Sequence, residues 1–520
     1  MMSNDRYLVD FDTEKLEKEI FDVVVIGGGA TGLYAALSID KKFNVCILTK
    51  KGIGEINKFS SVNVKKIDTN VCKTLFEDTM LQGAGLCEKN SVNSFTDDLI
   101  KNIENLEKAG VQFEKSEELT YSDFSEIDGK PSRIFRQQLL QEVEKRSNIC
   151  FYEESEVIEL LTDNGKVCGL LTLDKNTGKL GVVYCAAVIC ASGGYGGIFK
   201  NTSGSEKSSG DAAAFAMRAG AELMDMEFVH FYPTVLYING TTGVLVPEKI
   251  RLNGGVLKNI NGECFMQKYH DLGNCAPRDI ASAAIFTEME QTGSDFVYLD
   301  LTFKDKRYIK GKYAELYEGC LKYGIDITAQ MIPVAPAEHF CIGGIKTNIN
   351  GESTVDGFYA CGEAACNGLH GANGLAYNAL FEGLVFANRA AEHINKCVEP
   401  SNVKLPHIIS KTEGTEEAAA TAVELSIELL RTTMSNYVGP VRDRETLYKA
   451  LTTVMNIRNE FAGKKVRTSR EILLKNELIL AQAIIMSAIE RCESRGSHKR
   501  ADFPRVNEQK MRRHTVKKMY

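Results

Sequence analysis

Apolar positions along the chain fall into three kinds of order. In FDVVVIGGGATGLYAALSIDKKFNVCILTK, residues 21–50, a β-branched run from Asp22 to Ile26 gives way to glycines and a helix-like stretch, then to a second apolar run at Val45–Leu48. That order predicts strand, tight turn, helix and strand. CAAVICASGGYGGIF (185–199) and DGFYACGEAACNGLHGANG (356–374) each read as a further strand opening into a glycine loop, and look like later pieces of the same sheet. A sheet that resumes so late implies an inserted domain. The insertion, roughly 231–338, is mixed: GVLVPEKIRLNGGVLKNINGECFM predicts a hairpin and Arg278 to Glu290 a helix. After about residue 415 the period becomes helical. Val423, Ile427 and Leu430, then Leu447, Leu451 and Val454, then Leu478, Ala481, Ile485 and Ile489 form stripes that read as the core faces of a helical bundle. The expected fold is therefore α/β, with a nucleotide-type domain in two parts (18–230 and 339–400), an α+β insertion (231–338) and a C-terminal helical domain (415–520).

Length and composition agree with several domains. A chain of 520 residues is too long for one ordinary core. Its 44% hydrophobic and 25% charged residues are the balance of a globular protein. A net charge of −7 argues against nucleic acid as the main partner. The tail from Arg495 to Tyr520 is basic, and a solvated or packed terminus accounts for it better than a nucleic-acid patch. Fifteen cysteines without a C-x-x-C signal neither a disulfide framework nor a zinc or iron–sulfur site. A reducing cytoplasm fits them best. The polar, acidic start is no leader peptide, and no run approaches the roughly 18 apolar residues needed to cross a bilayer, so direct membrane insertion is not expected.

Gly27, Gly29 and Gly32, with Ala30 and Thr31 between them, spell G-x-G-x-x-G in the strand–turn–helix context that gives the motif meaning. The glycines let backbone approach a pyrophosphate closely, and bare N–H groups at the helix start meet its charge. The acid that usually follows about 20 residues later to hold a ribose is missing: Thr49 and Lys50 end the second strand, and the nearest acid is Glu55. An NAD-dependent dehydrogenase is therefore disfavoured.

The blocks DTMLQGAGLCEKNSV (78–92), DMEFVHFYPT (225–234), CAPRDIASAAI (275–285), PVAPAEHFCIGG (333–344), GEAACNGLHGAN (362–373) and ESRGSHKRADFP (493–504) sharpen this picture. Together with the glycines they resemble, in order and over nearly the whole chain, the flavoprotein family that contains L-aspartate oxidases and the flavoprotein subunits of succinate dehydrogenase and fumarate reductase. Within that family the aspartate oxidases look most similar. The resemblance implies a Rossmann-like FAD-binding domain, a cap over the flavin and hydride transfer between a substrate carbon and flavin N5. It implies that Gly27, Gly29, Ala30, Thr31 and Gly32 hold the pyrophosphate, that Thr49 and Lys50 lie by the adenosine ribose, and that Val157 faces the adenine. Ser192, Gly193, Gly194, Asp211, Glu363, Asn378, Ala379 and Leu380 would complete the flavin site. NKFSSVNVKKI (57–67) offers no counterpart of the histidine that bonds flavin in succinate dehydrogenase, so FAD is expected to be noncovalent. It also puts Val62, Asn63 and Val64 where the family has Gln-Gly-Gly near the flavin.

For chemistry, Arg278 matches the family's proton-transferring arginine, and Glu248 and Arg251 match its relay. An arginine with a pKa above roughly 12 needs such a relay. His339 matches a substrate-contacting histidine. Glu126 falls where aspartate oxidases read the substrate amine, and His370 and Asn373 would lie near the substrate. Three departures concern the grip on substrate: the family's H-G-A-N-R ends here on Gly374, its F-H-P-T histidine is Tyr232, and a Ser/Thr before the relay glutamate is Pro247. Losing a bidentate arginine weakens dicarboxylate binding by about 10²-fold unless another cation, such as Lys346 or Arg389, replaces it. Three readings stay open. The first is oxidation of L-aspartate to iminoaspartate, with O2, fumarate or a redox partner as acceptor. The second is a relative with a less anionic carboxylate or amino-acid substrate, or a fumarate reductase- or succinate dehydrogenase-type flavoprotein fed by a partner. The third is a binding protein that keeps the fold without the catalysis. An oligomer is compatible with each.

Overall fold

The computed structural model describes residues 6–53, 62–65, 67–116, 130–204, 208–238, 244–375, 378–412 and 414–519, with backbone alone at 62–65, 114–116 and 130–133. At its centre lies a five-stranded sheet ordered Phe358–Ala360, Ala187–Cys190, Val23–Ile26, Val45–Leu48, Ile149–Tyr152. Every pairing is parallel, with Val23 opposite both Ala187 and Val45. The inner strands VVVI, VCIL and AVIC are wholly buried, which is why they read as unbroken apolar runs rather than alternating ones. The first strand turns through the glycines into helix Ala30–Ser38, which packs against helix Asn378–Cys397 from far along the chain. A second sheet, Glu17–Ile20, Leu180–Tyr184, Lys166–Asp174, Ser155–Asp163, flanks the first.

The insertion has its own core around a sheet ordered Val229–Leu236, Ile332–Cys341, Val297–Asp300, Val256–Lys258, covered by helix Arg278–Thr292. The hairpin expected at 244–266 is not what forms. Pro247 caps a short helix, Glu248–Leu252; Val256–Lys258 pairs with Val297–Asp300, and the hairpin is reduced to a single antiparallel bridge, Lys258 to Cys264, with Leu245 bridged instead to Val235. A proline has no N–H to give a ladder and presets the φ of a helix start, and here that outweighs the β-branched residues on either side.

Helices Ala420–Tyr437, Arg444–Glu460 and Ser469–Glu490 form the C-terminal bundle, their stripes buried against one another. The last of these has the length and composition of a bilayer-crossing helix, contrary to the reading of the sequence, but 72% of its apolar window is buried inside the protein. It is a core helix. The basic tail is packed: Arg495 and Arg500 are buried on Glu493 and Asp502, and strand Val516–Lys517 adds to the edge of Leu223–Met224.

Candidate active site

Two features carry the chemistry: a cavity between the central sheet and the C-terminal bundle, walled by Arg431, Ser469, Arg470 and Leu473 on the bundle side, and a charged cluster in the insertion. The cavity, about 1230 Å³, opens over the glycine turn and is floored by Gly27, Gly28, Gly29, Thr49, Val157 and Ser192. Gly27 has φ +112°, and a Cβ there would sit 2.3 Å from the Ala191 carbonyl oxygen. One on Gly32 would sit 1.9 Å from the Gly27 carbonyl oxygen. These two glycines are dictated by the fold. At Gly29, by contrast, a Cβ meets nothing within 4 Å, because that position faces the cavity. Helix Ala30–Ser38 starts beside it with no side-chain cap and no acid in its first turn, so its N–H groups and dipole are left for an anion. A phosphate-bearing dinucleotide fits this cradle.

Lys50 crosses the cavity wall to Glu156 (2.7 Å) and Asp211 (2.8 Å), and Asp211 also accepts from Ser209 and Asn476. Burial raises the Asp211 carboxyl, but the Lys50 charge and these hydrogen bonds outweigh it and hold the group below the usual range. Asp211 thus belongs with Lys50 in the cavity wall. Thr49 turns its hydroxyl onto the Lys51 carbonyl, at 2.6 Å. Sequence reasoning missed Glu156 and Arg136. Glu156 was signalled only by its place next to Val157. Arg136, on helix Lys130–Glu144, donates to the Gly28 (2.7 Å) and Ile53 (2.9 Å) carbonyls, clamping the turn from a stretch with little family likeness.

Further along, Glu363 accepts from the Cys341 N–H at 3.0 Å and stands beside Gly194, where a Cβ would fall 2.5 Å from its carboxylate. Glu338 lies close by, bonded by the Thr202 hydroxyl at 2.7 Å. Burial and the neighbouring Glu363 push its carboxyl well above the usual range. Asn378, Ala379 and Leu380 form the first turn of helix Asn378–Cys397; the buried Asn378 donates to Thr79 Oγ1 at 2.8 Å, and its Oδ1 has no hydrogen-bond partner among the described residues.

In the charged cluster Glu248 sits between two guanidiniums. Its Oε2 accepts from Arg278 Nη2 (2.6 Å) and Nε (3.0 Å), its Oε1 from Arg251 Nη2 (2.7 Å). Arg251 is 1% exposed and fixed by the Asn274 and Ala276 carbonyls. Burial raises the Glu248 carboxyl, but the two arginines reverse the sign and hold it ionised. The Tyr232 hydroxyl accepts from the Glu248 N–H at 3.0 Å, its ring lies 4.9 Å from the Arg278 guanidinium carbon, and the His339 ring is 5.1 Å away. His339 Nδ1 meets the Ser203 hydroxyl at 2.8 Å, and burial together with Arg278 pushes its pKa down to about 3. His370 Nε2 is bonded to Glu382 at 2.9 Å, while its Nδ1 and Asn373 Oδ1 lack partners among the described residues. A Cβ on Gly374 would touch His370 Nδ1 at 3.1 Å. Lys346 and Arg389 do not supply the missing cation: they are committed to Glu222 (2.7 Å) and Asp98 (2.5 Å). Glu126 lies outside the described residues.

A dinucleotide cradle joined through a capping sheet to an Arg–Glu–Arg cluster defines a flavoprotein oxidoreductase, and the sequence relationships agree. Residues 22–380 match the "FAD binding domain" family and residues 428–519 the "Fumarate reductase flavoprotein C-term" family. The chain belongs to this FAD-binding flavoprotein family and is an FAD-dependent oxidoreductase. Among curated relatives it is similar to L-aspartate oxidase of Pseudomonas aeruginosa, 33% identical over 518 residues (93% of this chain, 95% of the relative). It is likewise similar to L-aspartate oxidase of Acinetobacter baylyi, 32% identical over 515 residues (94% of each). In fold it matches an E. coli quinol fumarate reductase structure at TM-score 0.80 and 24% identity, covering 96% of this chain and 94% of that one. It also matches a Mycobacterium smegmatis Sdh1 structure in complex with UQ1 at TM-score 0.80 and 26% identity, covering 96% and 92%.

Proposed function

We propose that the protein oxidises L-aspartate or a closely similar amino acid, withdrawing hydride from the α-carbon and a proton from the amine to leave the imino acid. Bound FAD supplies the two-electron acceptor. The chain's own residues manage the proton. Glu248, bonded to the partly exposed Arg278 through one oxygen and to the buried Arg251 through the other, is the observation that carries this reading. A carboxylate held ionised between two guanidiniums accepts a proton from one side and passes it to the other, so that neither arginine stays neutral. Tyr232 and the bonds of Arg251 to carbonyls keep the three groups in register. Ser192, Gly193, Gly194, Glu363, Asn378, Ala379 and Leu380 are assigned to the flavin end of the cofactor.

Anaerobic titration of the FAD-loaded protein with L-aspartate tests this: the oxidised flavin bands should bleach. An unchanged spectrum at saturating aspartate sinks the proposal. Arg278→Lys keeps a charge but loses the fork that reaches Glu248 twice, and turnover should fall about 10²-fold or more while FAD stays bound, as read by single-turnover reduction. One observation favours a second reading. Among the described residues the wall at Gly374 carries no cation and His370 Nδ1 has no hydrogen-bond partner, which suits a less anionic substrate. Bleaching by a neutral amino acid in the same titration, with none by aspartate, selects that alternative.

A further inference from the structure

His230 has no place in the relay, yet it is the most conspicuous unused group beside the charged cluster. It is 6% exposed, and its Nε2 has no hydrogen-bond partner among the described residues. A buried polar atom left unpaired is costly, so a ligand atom is its natural complement. Its position is informative. His230 pairs across the sheet with Phe340, whose ring lies 5.2 Å from that of His370. Two residues on, Tyr232 carries the Arg278 guanidinium over its ring. His230 therefore stands between the proton-relay arginine and the loop in which Gly374 offers no charge.

The surroundings fix the sign of the ligand. Burial pushes the His230 imidazole well below its ordinary range, and Arg278, His339 and His370, all basic, push it further the same way. A neutral imidazole keeps one N–H donor. A donor set beside the permanently charged Arg278 guanidinium is complementary to an anionic oxygen and hostile to a cation.

We propose that His230 binds a carboxylate of the substrate, donating Nε2–H to one of its oxygens, and is thereby a specificity-determining residue of this site. The proposal rests on the reading of the cleft as an amino-acid or carboxylate site.

The test uses FAD-loaded protein and calorimetric titration with malonate, a dicarboxylate with no oxidisable α-amine, and with L-aspartate. His230→Leu fills the space without a donor and should weaken malonate binding about 10-fold or more. His230→Gln restores a donor and should stay within about 3-fold of wild type. FAD content and melting temperature report whether each variant is folded. Should the leucine variant fail to fold, His230→Asn, whose amide is too short to reach, should show the same weakening. Wild-type affinity in the folded leucine or asparagine variant overturns the role of His230 while leaving the carboxylate reading in place. Wild-type protein that holds FAD but binds neither malonate nor aspartate overturns both.

Discussion

Single residues divide here between those the fold needs and those the ligand needs, and the three motif glycines show how to separate them. Gly27→Ala must relieve a 2.3 Å approach to backbone at φ +112°, so it should lower the melting temperature and abolish FAD retention together. Gly29→Ala meets nothing in the fold. It should leave the melting temperature of the apoprotein unchanged while weakening FAD, as read by flavin fluorescence on dilution; a variant that holds FAD normally would remove Gly29 from the cofactor site. His498 makes a different point about protons. It is fully buried, Nδ1 accepts from Arg442 at 2.9 Å, and Nε2 donates to the Arg491 carbonyl at 3.2 Å. Burial and the Arg442 charge hold it neutral, well below its usual pKa. The unfolded chain takes up this proton near pH 6.5 and the folded chain does not, so stability should fall as pH drops below about 6.5. In urea titrations across pH 7 to 5, His498→Asn should flatten that slope by up to ~1.4 kcal/mol per pH unit. An unchanged slope would place the proton elsewhere.

Among elements, the legible ones were those whose burial is uniform. Strands wet on neither face and helices with one apolar stripe announced themselves, whereas Glu248–Leu252 was read as part of a hairpin because five residues are too few to show a period. The tail strand Val516–Lys517 was equally silent, being half-exposed and two residues long. What seats it is side-chain chemistry. Arg491 binds Glu227 (2.5 Å), Glu493 (3.0 Å) and the carbonyls of Met511 and Arg513 (2.7 Å each), while Thr515 bonds Glu227 (2.6 Å). These contacts join the bundle to the strand that leads into the insertion. Arg491→Met leaves the buried Glu227 carboxylate without its cation, while Glu493 keeps Arg495, and should cost about 3–5 kcal/mol, seen as a lower denaturation midpoint. A shift under 1 kcal/mol, on the scale of an exposed pair, would show that water reaches this network.

At the scale of the whole molecule, the sequence revealed that the nucleotide sheet is interrupted, because the returning strand Phe358–Ala360 carries the same apolar signature as the first. The Arg278–Glu248–Arg251 cluster was legible for a related reason, since E-x-x-R and APRD are local patterns. Arg136, Glu156 and His230 were not, because each acquires its meaning only from partners more than 100 positions away: Gly28, Lys50 and Phe340. The same topology bears on how the protein is made. Helix Ala30–Ser38 and its strand leave the ribosome early, but the edge strand Phe358–Ala360 and the helix Asn378–Cys397 that packs on it follow more than 300 residues later. At roughly 5–20 residues per second, the nascent nucleotide half waits tens of seconds for its missing wall. Cofactor capture is therefore an event of the nearly finished polypeptide, and chaperone protection during that interval matters more for this fold than for one whose sheet closes in chain order.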